Sequence, residues 1–529
     1  MHLTSSSGDE DYGKILMPTT TTDLVPVRLA ASGRELDKSM AAGLAWTAAA
    51  RWSSQILSGG SMVIVTRLLA PSDFGLVGMA ALYTGLLQLV TNAFGRAVIT
   101  LRDLTGEQLA QLNSVATISG VLACLVSWGI AIPLGHFFRS PHLPLVVAVT
   151  SAMFIVSGLR TVPYSLLYRD MHFRLLSIFD ATQAIAQALI TLTLAWLGFG
   201  YWALILGNIV STPVVAVLQI AYRPCRFAWP RISAIRDALK FSRHFMASSL
   251  SWYGYSNADF LIAGRMLGQT ALGAYTLSWN LATIPLEKIT TIVTTVCYAY
   301  FSAAQDDVVA LRRYLRIITE GLSLITFPIT LGLGLVAPDF IPLVLGSKWR
   351  GAIVPLEILA IYGCLRCIIT IPPLILNVTG ESRFVMWATQ AALILMPVAF
   401  YAGSRWGASG IAFGWVIAYP IIAGLLYHRT LRKIKMPWVD YFGAVRPALM
   451  GCGVMTAIVE SFKHLQPFNL SVSLRLGLEV LTGAAAYILT LMLFHGDRIF
   501  VFWNFVRAMR NPVPANNAIE ETLRFQVAK

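Results

Sequence analysis

The sequence predicts an all-α integral membrane protein of about fourteen transmembrane helices, arranged as two six-helix lobes related by a pseudo-two-fold axis, with two further C-terminal helices. Three observations carry this expectation. Hydrophobic residues make up 56% of the chain and charged residues only 12%, against about 25% charged in soluble domains. Apolar runs recur along the whole chain, each near the ~20 residues that an α-helix needs to cross the hydrocarbon core, without the short alternating segments of a β-barrel. The third observation is a passage that occurs twice. "TRLLAPSDFGLVGM" begins at Thr66 and "AGRMLGQTALGAYT" at Ala263, so that Arg67 falls on Arg265, Leu69 on Leu267 and Gly75 on Gly273, an offset of 198 residues.

Residues 1–40, with "TSSSGDEDYG" and "PTTTTD", read as a disordered cytoplasmic tail without the basic start and cleavage site of a signal peptide. Spans centred on 43–66, 74–95, 112–135, 144–168, 174–197 and 201–221 form a first lobe over 41–222. The polar break "YRPCRFAWPRISAIRDALK" makes 223–242 a cytoplasmic linker. The second lobe, 243–430, holds spans at 243–264, 272–300, 316–337, 352–376, 384–403 and 408–428. Spans at 444–462 and 472–494 fall within 431–495, and 496–529 is a second cytoplasmic tail.

Loop charges set the orientation. With the N-terminus inside, cytoplasmic loops collect Arg96, Arg102, Arg169, Arg174, Arg223, Arg226, Arg231, Arg236 and Lys240, then Arg312, Arg313, Arg316, Arg383, Arg429, Arg432, Lys433 and Lys435. The opposite loops hold Arg67, Arg139, Arg265, Lys348, Arg350, Arg405 and Lys463. That bias follows the positive-inside rule and puts both termini in the cytoplasm. The net charge of +14 therefore orients helices. No basic, aromatic-interleaved domain of the nucleic-acid-binding kind is present, and nucleic acid is not an expected partner. The cysteines lack disulfide-framework spacing, and Cys364-x-x-Cys367, inside an apolar run, reads as core packing. No metal or cofactor is expected.

A second repeat supports the first. "GFGYWALILG" before span six is similar to "WGASGIAFGW" before span twelve, setting Gly198 on Gly407 at an offset of 209. Six spans repeated give two lobes of the same orientation about an axis along the membrane normal, a plan that transporters use to hold substrate between halves. Chance similarity of two hairpins is the alternative.

"VTRLLAPSDFGLVGMAALY", "NAFGRAVI", "VPYSLLYRDMHFRLLSIFD" and "GFGYWALILGNIVS" resemble bacterial polysaccharide exporters of the multidrug/oligosaccharidyl-lipid/polysaccharide (MOP) superfamily. The branch is that of Wzx-type exporters of acidic exopolysaccharides such as colanic acid and xanthan, and the resemblance covers about residues 40–430. It implies a flippase, not an enzyme. Its cargo would be an undecaprenyl-diphosphate-linked oligosaccharide, moved from the cytoplasmic to the periplasmic leaflet of the bacterial inner membrane. Membrane lipids, a polysaccharide polymerase and export machinery would be its other partners. A cation-coupled drug exporter of the same superfamily is the alternative. A polysaccharide polymerase or glycosyltransferase would need a sizeable loop with positioned acid–base or metal residues, which the sequence lacks.

A sugar-diphosphate needs a polar route, and intramembrane ionisable residues usually face such a route or a partner. Arg51 and Gln55 share a face of span one, and Gln88, Asn92 and Arg96 stripe span two at helical spacing; packing of helices through polar side chains is the alternative for such a stripe. Arg160 and Asp180 each lie ten residues from a loop near Asp170, which sets both about 15 Å from it at ~1.5 Å per residue. They read as a structural ion pair, or as an arginine held ready for phosphate. Arginine suits a diphosphate through paired hydrogen bonds. Arg51, Gln55, Gln88, Asn92, Arg160 and Asp180 are thus candidate substrate-binding residues.

In span seven, His244, Ser248, Ser251, Tyr255 and Asp259 follow one helical face. At offset 198, Asp259, Glu287 and Lys288 meet Ser61, Leu89 and Val90, so the second lobe carries charge that the first lacks. Acidic groups in apolar surroundings can carry protons, which makes Asp259, Glu287 and Lys288 candidates for ion coupling. Compensation of Glu287 by Lys288, or the lining of a cavity, is the plainer reading. Glu357 and Arg366, nine residues apart, lie on opposite faces and are not expected to pair. Arg67 with Gly75, and Arg265 with Gly273, close matched hairpins and are candidate gates; inherited turns without a moving role are the alternative.

Overall fold

The computed structural model describes residues 57–101, 103–465 and 471–510. The candidates Arg51 and Gln55 and the expected tail over 1–40 lie outside these residues, as do the side chain of Lys288 and residues 511–529. The first half of the chain forms α1 (Leu57–Leu68), α2 (Pro71–Thr100), α3 (Gly106–Phe138), α4 (Leu143–Arg169), α5 (Phe173–Trp196) and α6 (Tyr201–Tyr222). The second half forms α7 (Arg236–Ser256), α8 (Ala258–Ala303), α9 (Val308–Leu335), the short α10 (Ala337–Phe340), α11 (Ile353–Ile369), α12 (Pro372–Val378), α13 (Ser382–Gly403) and α14 (Gly407–Lys433). Two long helices, α15 (Trp438–Leu465) and α16 (Val472–Arg510), complete it. Among the described residues, ten helical stretches are long and apolar enough to cross a membrane.

Local chemistry sets the helix starts. Thr105 accepts from the Gln108 N–H at 3.3 Å while the Gln108 side chain accepts from the Thr105 N–H at 2.9 Å, a capping box that opens α3. Asp307 accepts from the amides of Val309 and Ala310 and opens α9. At the repeated passage, α1 gives way to α2 at Ala70, which is extended (φ −84°, ψ 156°). Exactly one repeat later, α8 is interrupted at Gly268 (φ 82°, ψ −174°). The first break tolerates alanine because Pro71 starts the next helix and Asp73 accepts from the Ala70 N–H at 2.9 Å. The second copy has Gln269 and Ala271 at those places, and its left-handed break needs glycine.

The structure corrects four sequence expectations. The loop between spans seven and eight is reduced to Gly268, and the linker is shorter than expected because α7 begins at Arg236. The single polar face of span seven is broken at Asn257 (φ −126°, ψ 8°), whose side chain donates back to the Tyr253 carbonyl. Asp259 therefore starts a new helix and leaves the face of His244 and Ser248. The second repeat also shifts in register. Gly200 (φ 56°, ψ −136°), two places after Gly198 (φ 83°), has a backbone like that of Gly407 (φ 73°, ψ −156°), at an offset of 207. At that offset Gly207 and Gly414 correspond, and each brings its helix tight against the preceding one, at Thr191 and at Phe400.

The linker lies across the start of α3. Ser114 and Gln111 accept from the amides of Ala228 and Arg231, and the Gln108 side chain donates to the Ala234 carbonyl at 2.7 Å. The last two helices pack on the second half. Tyr441 of α15 donates to Tyr427, Tyr427 to the Ile368 carbonyl, and Tyr487 of α16 to the Leu324 carbonyl, each at 2.7 Å. Arg475 at the start of α16 is paired with Asp339 of α10.

Candidate functional site

The two halves meet along α2, which packs against α7 and α8. At one end the contact is reciprocal. A side chain at Gly75 would strike the backbone of Gln269, and one at Gly273 would strike the backbone of Pro71. Pro71 and Gln269 are themselves one repeat apart, so each copy of the passage touches the other with the same residues. Gly78 faces Thr276, its own counterpart, with 3.3 Å left between a Cβ and the threonine hydroxyl. Small residues allow helix backbones in a membrane to approach this closely.

The two arginines of the repeat reach across the same end. Arg67 donates through Nε to the Val344 carbonyl at 2.6 Å and through Nη2 to the Leu343 carbonyl. In return, Lys348 donates to the Arg67 carbonyl at 2.7 Å and the Trp349 indole to the Thr66 carbonyl at 2.8 Å. These carbonyls belong to the last turn of α1, where the helix itself supplies no donors. Trp349, fully buried, stands edge-on to Phe74 at 5.1 Å. On the other side Arg265 lies over the Phe137 ring at 5.4 Å, and Gln269 donates to Ser140 at 2.5 Å. Each arginine thus engages, in the opposite half, the segment that follows or ends its third long helix. Towards the other end, Tyr253 donates to the Leu82 carbonyl, Ser242 to the Ala93 carbonyl, and Arg96 lies 5.8 Å over Phe245.

The first-half candidates separate. Gln88 donates to Ser157 of α4, joining two helices of the same half, whereas Asn92 and Arg96 are exposed. Arg160 on α4 is half-buried. It interacts electrostatically with Asp180 on α5 and with Tyr164.

In the second half Asp259 is fully buried. One of its oxygens accepts from Tyr275 at 2.6 Å and from the Trp415 indole at 2.9 Å. Around them Trp279, Tyr362, Tyr419, Phe260 and Phe400 form a continuous aromatic cluster. The partner of Glu287 is Arg366 of α11, at 2.9 Å. The expected compensation by Lys288 falls on a side chain outside the described residues. Arg366 also stacks over Trp279 at 5.3 Å and does not pair with Glu357. The Cys364 and Cys367 thiols pack against Thr330 and Thr326 of α9. Sequence reasoning named Arg366 but missed its partner, 79 residues away, and it missed the part of Lys348 and Trp349 in the rim. No local spacing signals either pairing.

The model of the family described as polysaccharide biosynthesis protein matches residues 64–354, more than half of the chain. The chain belongs to this family. Its relatives include the teichuronic acid biosynthesis protein TuaB of Bacillus subtilis (strain 168), 26% identical over 86% of this chain and 96% of the relative. The lipopolysaccharide biosynthesis protein WzxC of Escherichia coli (strain K12) is 24% identical over 74% and 81%. Among solved structures, the lipid II flippase MurJ in an inward closed conformation is similar with a TM-score of 0.72, at 14% identity, over 86% of this chain and 99% of that one. An inward-facing multidrug resistance MATE family transporter of the MOP superfamily gives 0.56 at 16% identity, over 72% and 94%. These two are likenesses of fold. The family and the fold agree with the exporter resemblance read over residues 40–430.

Proposed function

We infer that this protein is a flippase that carries an undecaprenyl-diphosphate-linked oligosaccharide across the bacterial inner membrane for exopolysaccharide biosynthesis. It works by alternating access of two six-helix lobes. The fourteen spans of this reading take α7 with the start of α8 as the seventh, the remainder of α8 as the eighth, α11 with α12 as the tenth, and α15 and α16 as the last two. Both termini are cytoplasmic, so cysteine probes at Lys348 and Arg432 should label from opposite sides of the membrane. Same-sided labelling would contradict the topology.

The observation that carries the reading is the reciprocal contact of Gly75 and Gly273 with Gln269 and Pro71. A self-complementary seal at one end of the boundary between two repeats is what rocking about a central site requires. In this reading Arg67, Gly75, Arg265 and Gly273 form the periplasmic gate. Arg160, together with Arg51, faces the diphosphate, with Asn92 and Arg96 along its route. Gln88 and Gln55 shape the wall, and Asp180 holds Arg160. Asp259 is retained for ion coupling, Lys288 keeps that role on its sequence position alone, and Glu287 is set aside because Arg366 neutralises it.

The test is transport by the full chain in liposomes loaded with undecaprenyl diphosphate bearing a single glucose or galactose. The sugar is oxidised from outside by impermeant periodate. Protein should expose the inner-leaflet pool as well as the outer one. Oxidation of the outer pool alone, with uptake of a cationic dye instead, would replace this reading with the drug-exporter alternative.

A further inference from the structure

Glu287 and Arg366 do more than neutralise each other. They line a cavity of about 400 Å³ bounded by α7, α8 and α11, within the ~300–1,000 Å³ range of small-molecule sites. Its other walls include Trp252, Thr290, Thr294 and Thr370. Arg366 uses Nη2 on Glu287 at 2.9 Å, while its buried Nη1 has no hydrogen-bond partner. The Thr290 and Thr370 hydroxyls donate to the Leu286 and Cys367 carbonyls at 2.8 Å. Their lone pairs are left to accept. Trp252, half-exposed, is part of the wall.

The donor and acceptor pattern narrows the ligand. A diphosphate brings only acceptors and negative charge, and it would meet Glu287 beside an arginine already neutralised. A cation would meet Arg366. A neutral sugar ring brings hydroxyls that both donate and accept, with an apolar C–H face that suits an indole. The cavity is lined by the Arg366–Glu287 pair, by threonine hydroxyls and by the Trp252 side chain, at zero net charge. We propose that the pocket formed by Glu287, Arg366, Trp252 and the three threonines is a glycan subsite that holds a neutral hexose ring of the cargo. This rests on the flippase reading and divides its labour. The diphosphate is held by first-half arginines and the sugar by the second half.

The test measures binding to the purified full-length chain in nanodiscs, with two probes: undecaprenyl diphosphate, and the same lipid bearing one glucose or galactose. The wild type should bind a glycosylated probe about tenfold more tightly, the equivalent of ~1.4 kcal/mol. Trp252→Ala and Arg366→Gln should remove that difference while leaving affinity for the bare lipid within about twofold, far less than the ~1.4 kcal/mol of a tenfold change. Trp252 is a half-exposed wall residue, so its variant keeps the test open if Arg366→Gln does not fold. If the bare lipid binds and the sugar adds nothing, the subsite is wrong while the transport reading stands. Equal weakening of both probes by Trp252→Ala would also overturn the subsite. Binding of neither probe by the wild type would overturn the transport reading and the subsite together.

Discussion

At the rim, residues one repeat apart do the same work: Pro71 and Gln269 lie under Gly273 and Gly75, and Arg67 and Arg265 each cross to the other half. Deeper in the molecule, residues at the same offset share nothing. Ser61 donates to the Ala188 carbonyl at 3.3 Å, while its counterpart Asp259 holds Tyr275 and Trp415. Leu89 corresponds to Glu287, which is bound to Arg366. The contrast follows from who touches whom. A self-complementary contact presents the same patch from both copies, so a change in one copy is met by an unchanged partner. Ser61, Asp259 and Glu287 bond within their own half and are free to diverge.

The largest effect that can break this contrast lies in the first half. Arg160→Ala, and equally Arg51→Ala, should abolish polysaccharide export while an immunoblot shows near-normal protein. Full export by both variants would remove the anionic role from that half. The next effect is on stability. Asp259→Ala strands two buried donors, at ~1–3 kcal/mol each, and should cost about 3 kcal/mol in unfolding of the detergent-solubilised protein. Ser61→Ala removes one hydrogen bond and should cost about 1 kcal/mol. Equal costs would mean that the interiors differ less than their contacts suggest. The smallest effect separates the two breaks. Gly268→Ala forces a side chain into the left-handed region and should cost roughly 1–2 kcal/mol. Ala70→Gly should be close to neutral, because glycine is accepted at a helix N-cap.

The all-helical, many-span character was legible because a bilayer imposes run length on the sequence. The repeat was legible because its rim contact tolerates little change. What escaped were features set by single backbone residues and by distant partners. Asn257 interrupts span seven without any apolar signal. Gly198 and Gly200 both take positive φ, as Gly407 does, so letters alone do not fix the register of the second repeat. Glu287 and Arg366 sit on helices whose meeting depends on the whole second half, so their pairing left no periodic trace. Gln88, whose stripe with Asn92 and Arg96 allowed either a cavity face or helix packing, ties α2 to Ser157; helical spacing gives a face but not the neighbour it meets.

The central claim is that the two copies of the passage meet at the rim and must part for transport. It is tested most directly by a disulfide between cysteines placed at Ser72 and Thr270, counterparts beside the contacting pairs, in a chain whose native cysteines are replaced. In liposomes carrying the glycosylated lipid, the crosslink should form readily under mild oxidation and stop movement of the sugar, and a reductant should restore it. A crosslink that never forms, or that forms and leaves transport unchanged, would contradict the claim.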